Sequence, residues 1–300
     1  MQKLFSVRRM LVLFLMGTVL LAGCKNLFNT GGSDAARNGH YVPPTSASEL
    51  VAQLNKNASP IQTIESDNLD ITVTQNGQPF GLPGKMALQK DRNFRLIASA
   101  VGSTEADLGS NSQEFWFYMK RNDPPDLFFC SYNDLAQMQM KLPLQPDWIA
   151  EALCVQELNP AEYEGRDLKS GRGYELVKRI NYQGEQLYKG VVVATSGPNA
   201  GRVVVHRMFR ANGTELWRAE IIDYQRPQDV GNFVVPYQVK ITCPEQKVTI
   251  EMKVKSCKVN KLENNPALFA RPQGYRAHDI AKLRSAGVPG NQITPTSGGQ

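Results

Sequence analysis

Five cysteines and three histidines are the residues of this 300-residue chain best suited to covalent or metal chemistry, and their spacing decides which. Cys24 follows an apolar run at residues 11–21, directly after Leu21-Ala22-Gly23, with Arg8 and Arg9 ahead of the run. A basic start, an apolar core shorter than the ~20 residues of a membrane-spanning helix and a small-residue exit are the parts of an export leader. Cys130, Cys154, Cys243 and Cys257 remain. In an exported chain they allow two disulfides, with the connectivity open, or else free buried thiols. No C-x-x-C occurs, and His40, His206 and His278 lie far apart with no cysteine close in sequence, so the pattern holds no metal site. His206 sits in a strand-like run beside Arg207 and reads as a structural histidine rather than a general base.

Catalytic spacings are missing from the rest of the chain. There is no G-x-S-x-G elbow, H-E-x-x-H pair, phosphate-binding loop or dinucleotide fingerprint. The carboxylate pairs Asp67/Asp70 and Glu162/Glu164 fall in polar, turn-like stretches and read as solvated surface. These features predict a non-enzymatic chain without a cofactor. The formal charge of +6 drops to +3 once Lys3, Arg8 and Arg9 leave with residues 1–23, which is no nucleic-acid signature. Hydrophobic residues make up 41% of the chain, enough for a substantial core.

Residues 24–45, rich in Gly, Asn, Ser and Pro, read as a flexible stalk. Ser46-Ala47-Ser48-Glu49 is a capping box, and Leu50, Val51 and Leu54 follow at helical spacing, predicting a helix over 46–57. The period then changes to two. Alternating runs around 71–74, 86–89, 94–99, 114–119 and 126–132 predict strands, with Asn76-Gly77 and Pro83-Gly84 as turn signals. After Pro143 and Pro146 comes a short helix, 147–153, with Trp148, Ile149, Ala152 and Leu153 as its apolar stripe. Strands resume at 174–182, 186–194, 202–210, 215–223, 233–242 and 247–259, and Asn212-Gly213 marks a hairpin whose two central positions are expected at positive φ. From residue 276 to 300 the chain is polar, with a short helix possible at 278–284, and is expected to be a disordered tail.

Leu21-Ala22-Gly23-Cys24 resembles the lipobox of bacterial lipoprotein signal peptides. The resemblance implies cleavage before Cys24, acylation of that residue and a stable lipid anchor, since each buried methylene adds ~0.8 kcal/mol. Lys25 stands where an inner-membrane retention signal would place Asp, which points the anchor to the outer membrane. Three segments further along resemble the LolA/LolB-like periplasmic lipoprotein carriers: Gly84 to Lys90 running into Phe94-Arg95-Leu96, then Phe115-Trp116-Phe117-Tyr118, and Leu268-Phe269-Ala270-Arg271-Pro272-Gln273-Gly274. The likeness covers residues 46–275. It implies a mainly β (α+β) fold, a strongly curved antiparallel sheet forming an open half-barrel with short helices as lid.

An apolar sheet face that short helices cover only in part suits acyl chains. The residues expected to line the cavity are Met86, Leu88, Phe94, Leu96 and Trp116, with Trp148, Ile149 and Ala152 on the lid. Where the soluble carriers have Arg-Pro, this chain has Lys90-Asp91, so Lys90 is the lid-latch candidate. The implied role is that of a lipid-anchored, periplasm-facing protein of the bacterial envelope that takes acyl chains of a lipoprotein or lipid and assists their transfer or localisation. The alternative is an envelope sensor or interaction module that binds a protein partner on the same scaffold.

Overall fold

The computed structural model describes residues 40–90, 92–121, 125–137, 146–168, 173–182, 184–227 and 231–285. The leader, Cys24, most of the stalk and residues 286–300 of the tail lie outside the described residues. Helix α1 (Ala47–Ala58) starts where the capping box places it: Ser46 Oγ accepts the Glu49 amide at 3.1 Å. Leu50 and Val51 turn its apolar side inward. His40 and Tyr41, expected within the stalk, are tied down instead, by a bridge from His40 to Ser196 and by the Tyr41 amide donating to the Thr195 carbonyl at 2.8 Å.

A first meander runs through β1 (Thr63–Gln75), β2 (Gln78–Gln89), β3 (Asn93–Ala100), β4 (Ser103–Ser110), β5 (Glu114–Met119) and β6 (Leu127–Ser131). Helices α2 (Tyr132–Gln137) and α3 (Pro146–Ala152) follow. A second meander comprises β7 (Glu164–Asp167), β8 (Gly173–Tyr182), β9 (Glu185–Ala194), β10 (Val203–Phe209), β11 (Glu215–Gln225), β12 (Val235–Cys243) and β13 (Val248–Val259). The chain closes with β14 (Ala277–Asp279) and α4 (Ile280–Ser285). Pairing of β1 with β13 joins the meanders into one sheet ordered β14-β6-β5-β4-β3-β2-β1-β13-β12-β11-β10-β9-β8-β7. Every pairing is antiparallel except that of β14 with β6. Because β7 and β14 lie at opposite ends of that order, the sheet is unclosed.

Turn chemistry explains most of the boundaries. Asn76 and Gly77, at φ of 50° and 81°, make the tight β1–β2 turn. Pro83-Gly84, expected as a turn, lies inside β2: residues 78–83 run beyond the reach of β3, where the missing proline donor is tolerated. Around Asn212-Gly213 only Gly213 has positive φ, because the β10–β11 loop is longer than two residues. Within the expected tail, the short helix read at 278–284 is present as α4, and residues 277–279 add β14; Ile280 is fully buried with Phe115, Phe128 and Cys130.

Contacts of α3 show how strongly the sheet curves. This seven-residue helix, ~10 Å long, approaches β4 on one side and β10, β11 and β12 on the other. β4 and β10 are seven strand spacings apart in the sheet, or ~34 Å along it at ~4.8 Å each. Only a sheet curled around the helix brings both arms within reach, which makes the architecture an open half-barrel with α3 on its inner face.

The outer face of β3–β6 is covered by the segment after β13. Arg95 Nη1 donates to the Leu268 carbonyl at 3.1 Å, Asn111 Nδ2 to the Phe269 carbonyl at 3.1 Å, and the Arg271 guanidinium lies 3.5 Å above the Phe129 ring. Trp116 is buried beneath this strap because the residue opposite it, Gly109, has no side chain. A Cβ there would sit 2.2 Å from the indole. Gly109→Ala is therefore expected to destabilise the fold by ~1–3 kcal/mol, read as a lowered denaturation midpoint, with no loss if the indole can shift freely.

Candidate functional site

Strand parity assigns each side chain to a face. On the inner face the register aligns Leu88 with Phe94 and Met86 with Leu96, then passes through Leu69, Ile71, Met252, Val239, Ala219 and Trp217 to Met208 and Leu187 on the far arm. The stripe of α3 fills the centre of this surface: Ile149 and Ala152 are fully buried, and the Trp148 ring lies 5.7 Å from that of Trp217 at a tilt of 41°. Met86, Leu88, Phe94 and Leu96 are thus brought together with Trp148, Ile149 and Ala152 in one cluster.

Trp116, expected on the same surface, faces the other way. Leu96 pairs with Leu108 and Leu108 with Phe117, so the inner-face residues of β5 are Phe115 and Phe117. Trp116 belongs with Tyr118, Leu127 and Tyr275 under the outer strap, where its Nε1 donates to Asp107 Oδ1 at 3.3 Å. Of the disulfides and free thiols that the cysteine count left open, the structure has the free thiols. All four described cysteines are free thiols, separated among the β6 edge, the end of α3, β12 and β13.

Polar side chains hold the α3 segment at both rims. Lys90 Nζ donates to Glu157 Oε1 at 2.9 Å and to the Ser59 carbonyl at 3.2 Å, joining the end of β2 to the end of α1 and to the chain leaving α3. On the opposite arm Lys189 of β9 pairs with Glu151 of α3. Asn55 of α1 exchanges two 2.9 Å hydrogen bonds with the backbone of Leu158. Burial pushes the Asp147 carboxyl above its usual value, opposed by the charge of Arg92, whose guanidinium lies 4.0 Å over the Tyr132 ring. Glu157 is held below the usual carboxylate range by its hydrogen bonds to Lys90 and Ser59.

Where α3 ends, Cys154 adopts φ +54°, the left-handed position that glycine commonly occupies. Its thiol lies 3.4 Å from both His206 Nε2 and the Tyr224 hydroxyl, which donates to the Val203 carbonyl at 2.7 Å. Two clefts of about 110 and 240 Å³ meet at Cys154, Gln156, Leu158 and His206. Burial pushes the Cys154 thiol up to about 12 and His206 down to about 4, so both are neutral near pH 7. Among the described residues no group of three or more His, Cys, Asp or Glu could hold a metal ion.

Sequence reading missed Glu151, Glu157, Lys189, Trp217 and the surroundings of Cys154. Their partners lie 38 to 70 residues away wherever hydrogen bonds join them. No local pattern encodes such pairs.

No protein-family model and no curated protein sequence matches the chain. Among solved structures it is similar to a LolA superfamily protein from Nitrosomonas europaea, at 10% identity and a TM-score of 0.46 over 76% of this chain and 99% of that one. It is likewise similar to an outer membrane lipoprotein-sorting protein domain, described as putative, from Vibrio parahaemolyticus, at 9% identity and a TM-score of 0.44 over 74% and 98%. A DUF1329 family protein from Desulfovibrio piger gives 9% and 0.44 over 75% and 96%. Likenesses at this level carry no argument about ligand or activity; the half-barrel stands on the strand pairing and the reach of α3.

The depressed pKa of His206 makes stability depend on pH. In the unfolded chain the imidazole binds its proton near pH 6.5, whereas in the fold it resists protonation until about pH 4. Its contribution is fully present above pH 6.5 and is lost as pH falls towards 4, by up to ~3 kcal/mol at ~1.4 kcal/mol per unit. Chemical denaturation between pH 7 and 4 should show this decline, and His206→Gln, which cannot charge there, should flatten it. An unchanged slope in the variant would locate the pH dependence elsewhere.

Proposed function

We propose that this protein is a non-enzymatic, lipid-anchored component of the bacterial envelope that holds acyl chains against the inner face of its half-barrel, in the place α3 occupies when no ligand is bound. The observation that carries this reading is the mismatch between a broad apolar inner face and the seven-residue α3 that seals its centre, with α1 covering only the β8–β11 end. Moving α3 away gives up roughly 6 kcal/mol of burial, at ~2 kcal/mol each for Trp148, Ile149 and Leu153. About eight buried methylenes at ~0.8 kcal/mol each offset that, so an ordinary acyl chain is long enough to compete.

Rim contacts give the movement its direction. The exposed Lys90–Glu157 pair is a weak clasp, worth ~0–1 kcal/mol, so it delays opening without forbidding it. Lys90 serves as the latch expected of it, although it is a point charge rather than the planar fork of an arginine. Export through the residue 1–23 leader and acylation at Cys24 would place the domain on the periplasmic side of the outer membrane, where it would assist transfer or localisation of lipoproteins or lipids.

Native mass spectrometry of the full chain, purified from a bacterial envelope and extracted for lipid, tests the reading. Near-stoichiometric acyl-bearing ligand is expected; a clean ligand-free mass that persists after incubation with acylated peptide and lipid would overturn it and favour a protein-binding module. Lys90→Met should speed uptake of a fluorescent acyl probe by up to about fivefold while leaving thermal stability nearly unchanged. Equal uptake rates would remove Lys90 from the gate.

A further inference from the structure

Trp217 of β11 is 1% exposed, yet its indole Nε1–H has no hydrogen-bond partner. An indole nitrogen can only donate, and buried donors in folded proteins are almost always paired. The surroundings explain the vacancy. Met208 stands opposite Trp217 in the β10 register, Trp148 of α3 packs on its ring, and the cluster around them is apolar. Lys189, across the next strand pair from Met208, is already engaged by Glu151. Among the described residues no acceptor answers this donor while α3 is seated.

We infer that Trp217 Nε1 donates to the ester carbonyl oxygen of a bound acyl chain once α3 withdraws. The inference rests on the acyl-binding reading above and adds to it the chemical class of the group recognised and the residue that positions it. A plain hydrocarbon would leave the donor unpaired. A free carboxylate would be drawn instead to Lys189, two strand spacings or ~10 Å from Trp217, which Glu151 releases when α3 withdraws. A neutral ester brings a carbonyl acceptor and no charge, and the departure of Trp148 makes room for it at the edge of the indole, where the in-plane N–H points. Trp217 is then a positioning residue that sets how deep the chain sits on the inner face.

The test uses the full chain labelled with ¹⁵N at its three tryptophan indoles, with Trp217→Phe assigning the resonance. Methyl laurate and tridecane, one with the ester and one without, are titrated into wild type and variant. Methyl laurate should shift the Trp217 indole resonance downfield and tridecane should not. Trp217→Phe should weaken methyl laurate binding about tenfold and tridecane binding by no more than about twofold. Equal weakening for both probes, or an indole resonance that methyl laurate does not move, would overturn the hydrogen bond while leaving acyl binding intact. Failure of wild type to bind either probe would overturn the acyl reading itself. Should the variant misfold, the wild-type resonance decides alone. Glycerolipids and the diacylglyceryl cysteine of lipoproteins both carry this ester, so dilauroylglycerol and a diacylated cysteinyl peptide are compared. Loss of the donor should weaken both, and the tighter of the two in wild type identifies the source.

Discussion

Burial of the α3 stripe against both arms of the sheet is the contact on which the architecture depends. A sheet this wide with one apolar face must cover that face, and the helix at its centre is too short to span it flat. Curling the sheet solves the problem, because β4 and β10 to β12 then share one small helix as their common packing partner. β1 and β13 are the long strands at the middle of the order, and register irregularities interrupt β1 between Glu65 and Leu69. Bulges of this kind increase local twist and let a strand bend.

The same contact divides the energetics between core and rim. Apolar burial by Trp148, Ile149 and Leu153 supplies most of the attraction, whereas the ion pairs at Lys90 and Lys189 fix where the segment sits and contribute little net stability. α1 does not share this role. It packs on the end of the β8–β11 arm, with Leu50 and Val51 against Leu176, Val191, Val193 and Ile221, and grips the chain leaving α3 through Asn55. Asn55 on Leu158 and Lys90 on Glu157 thus hold neighbouring residues of the chain leaving α3, and Lys189 holds Glu151 within the helix.

Features encoded within a few residues were legible in the sequence. The capping box set the start of α1, Asn76-Gly77 the first hairpin, and the Trp148/Ile149/Ala152/Leu153 spacing the buried stripe of the α3 segment. β4 was not legible, because Ser103-Thr104-Glu105-Ala106-Asp107-Leu108-Gly109-Ser110 lacks apolar alternation and its hairpin turns on Val101-Gly102, where a β-branched residue at φ 45° replaces the usual Asn or Asp. That omission left the parity of β5 unset, and with it the face of Trp116. The free cysteines and the clasp of Lys90 on Glu157 depend on the tertiary arrangement, which no local spacing records. The last helix was legible at 278–284, but β14 was hidden in a polar stretch, and the apolar Ile280 and Leu283 find their partners on β5, β6 and α2.

The central claim is that ligand and α3 compete for one surface, and hydrogen exchange read by mass spectrometry addresses it most directly. The amides of Leu153 and Cys154 close the last turn of α3 through the carbonyls of Ile149 and Glu151. With saturating methyl laurate, exchange in residues 146–154 should accelerate while the strands bearing Leu88, Leu96 and Trp217 become slower to exchange. Increased protection of residues 146–154 under the same conditions would contradict the account, because the helix would then be a fixed part of the core and the ligand would bind elsewhere.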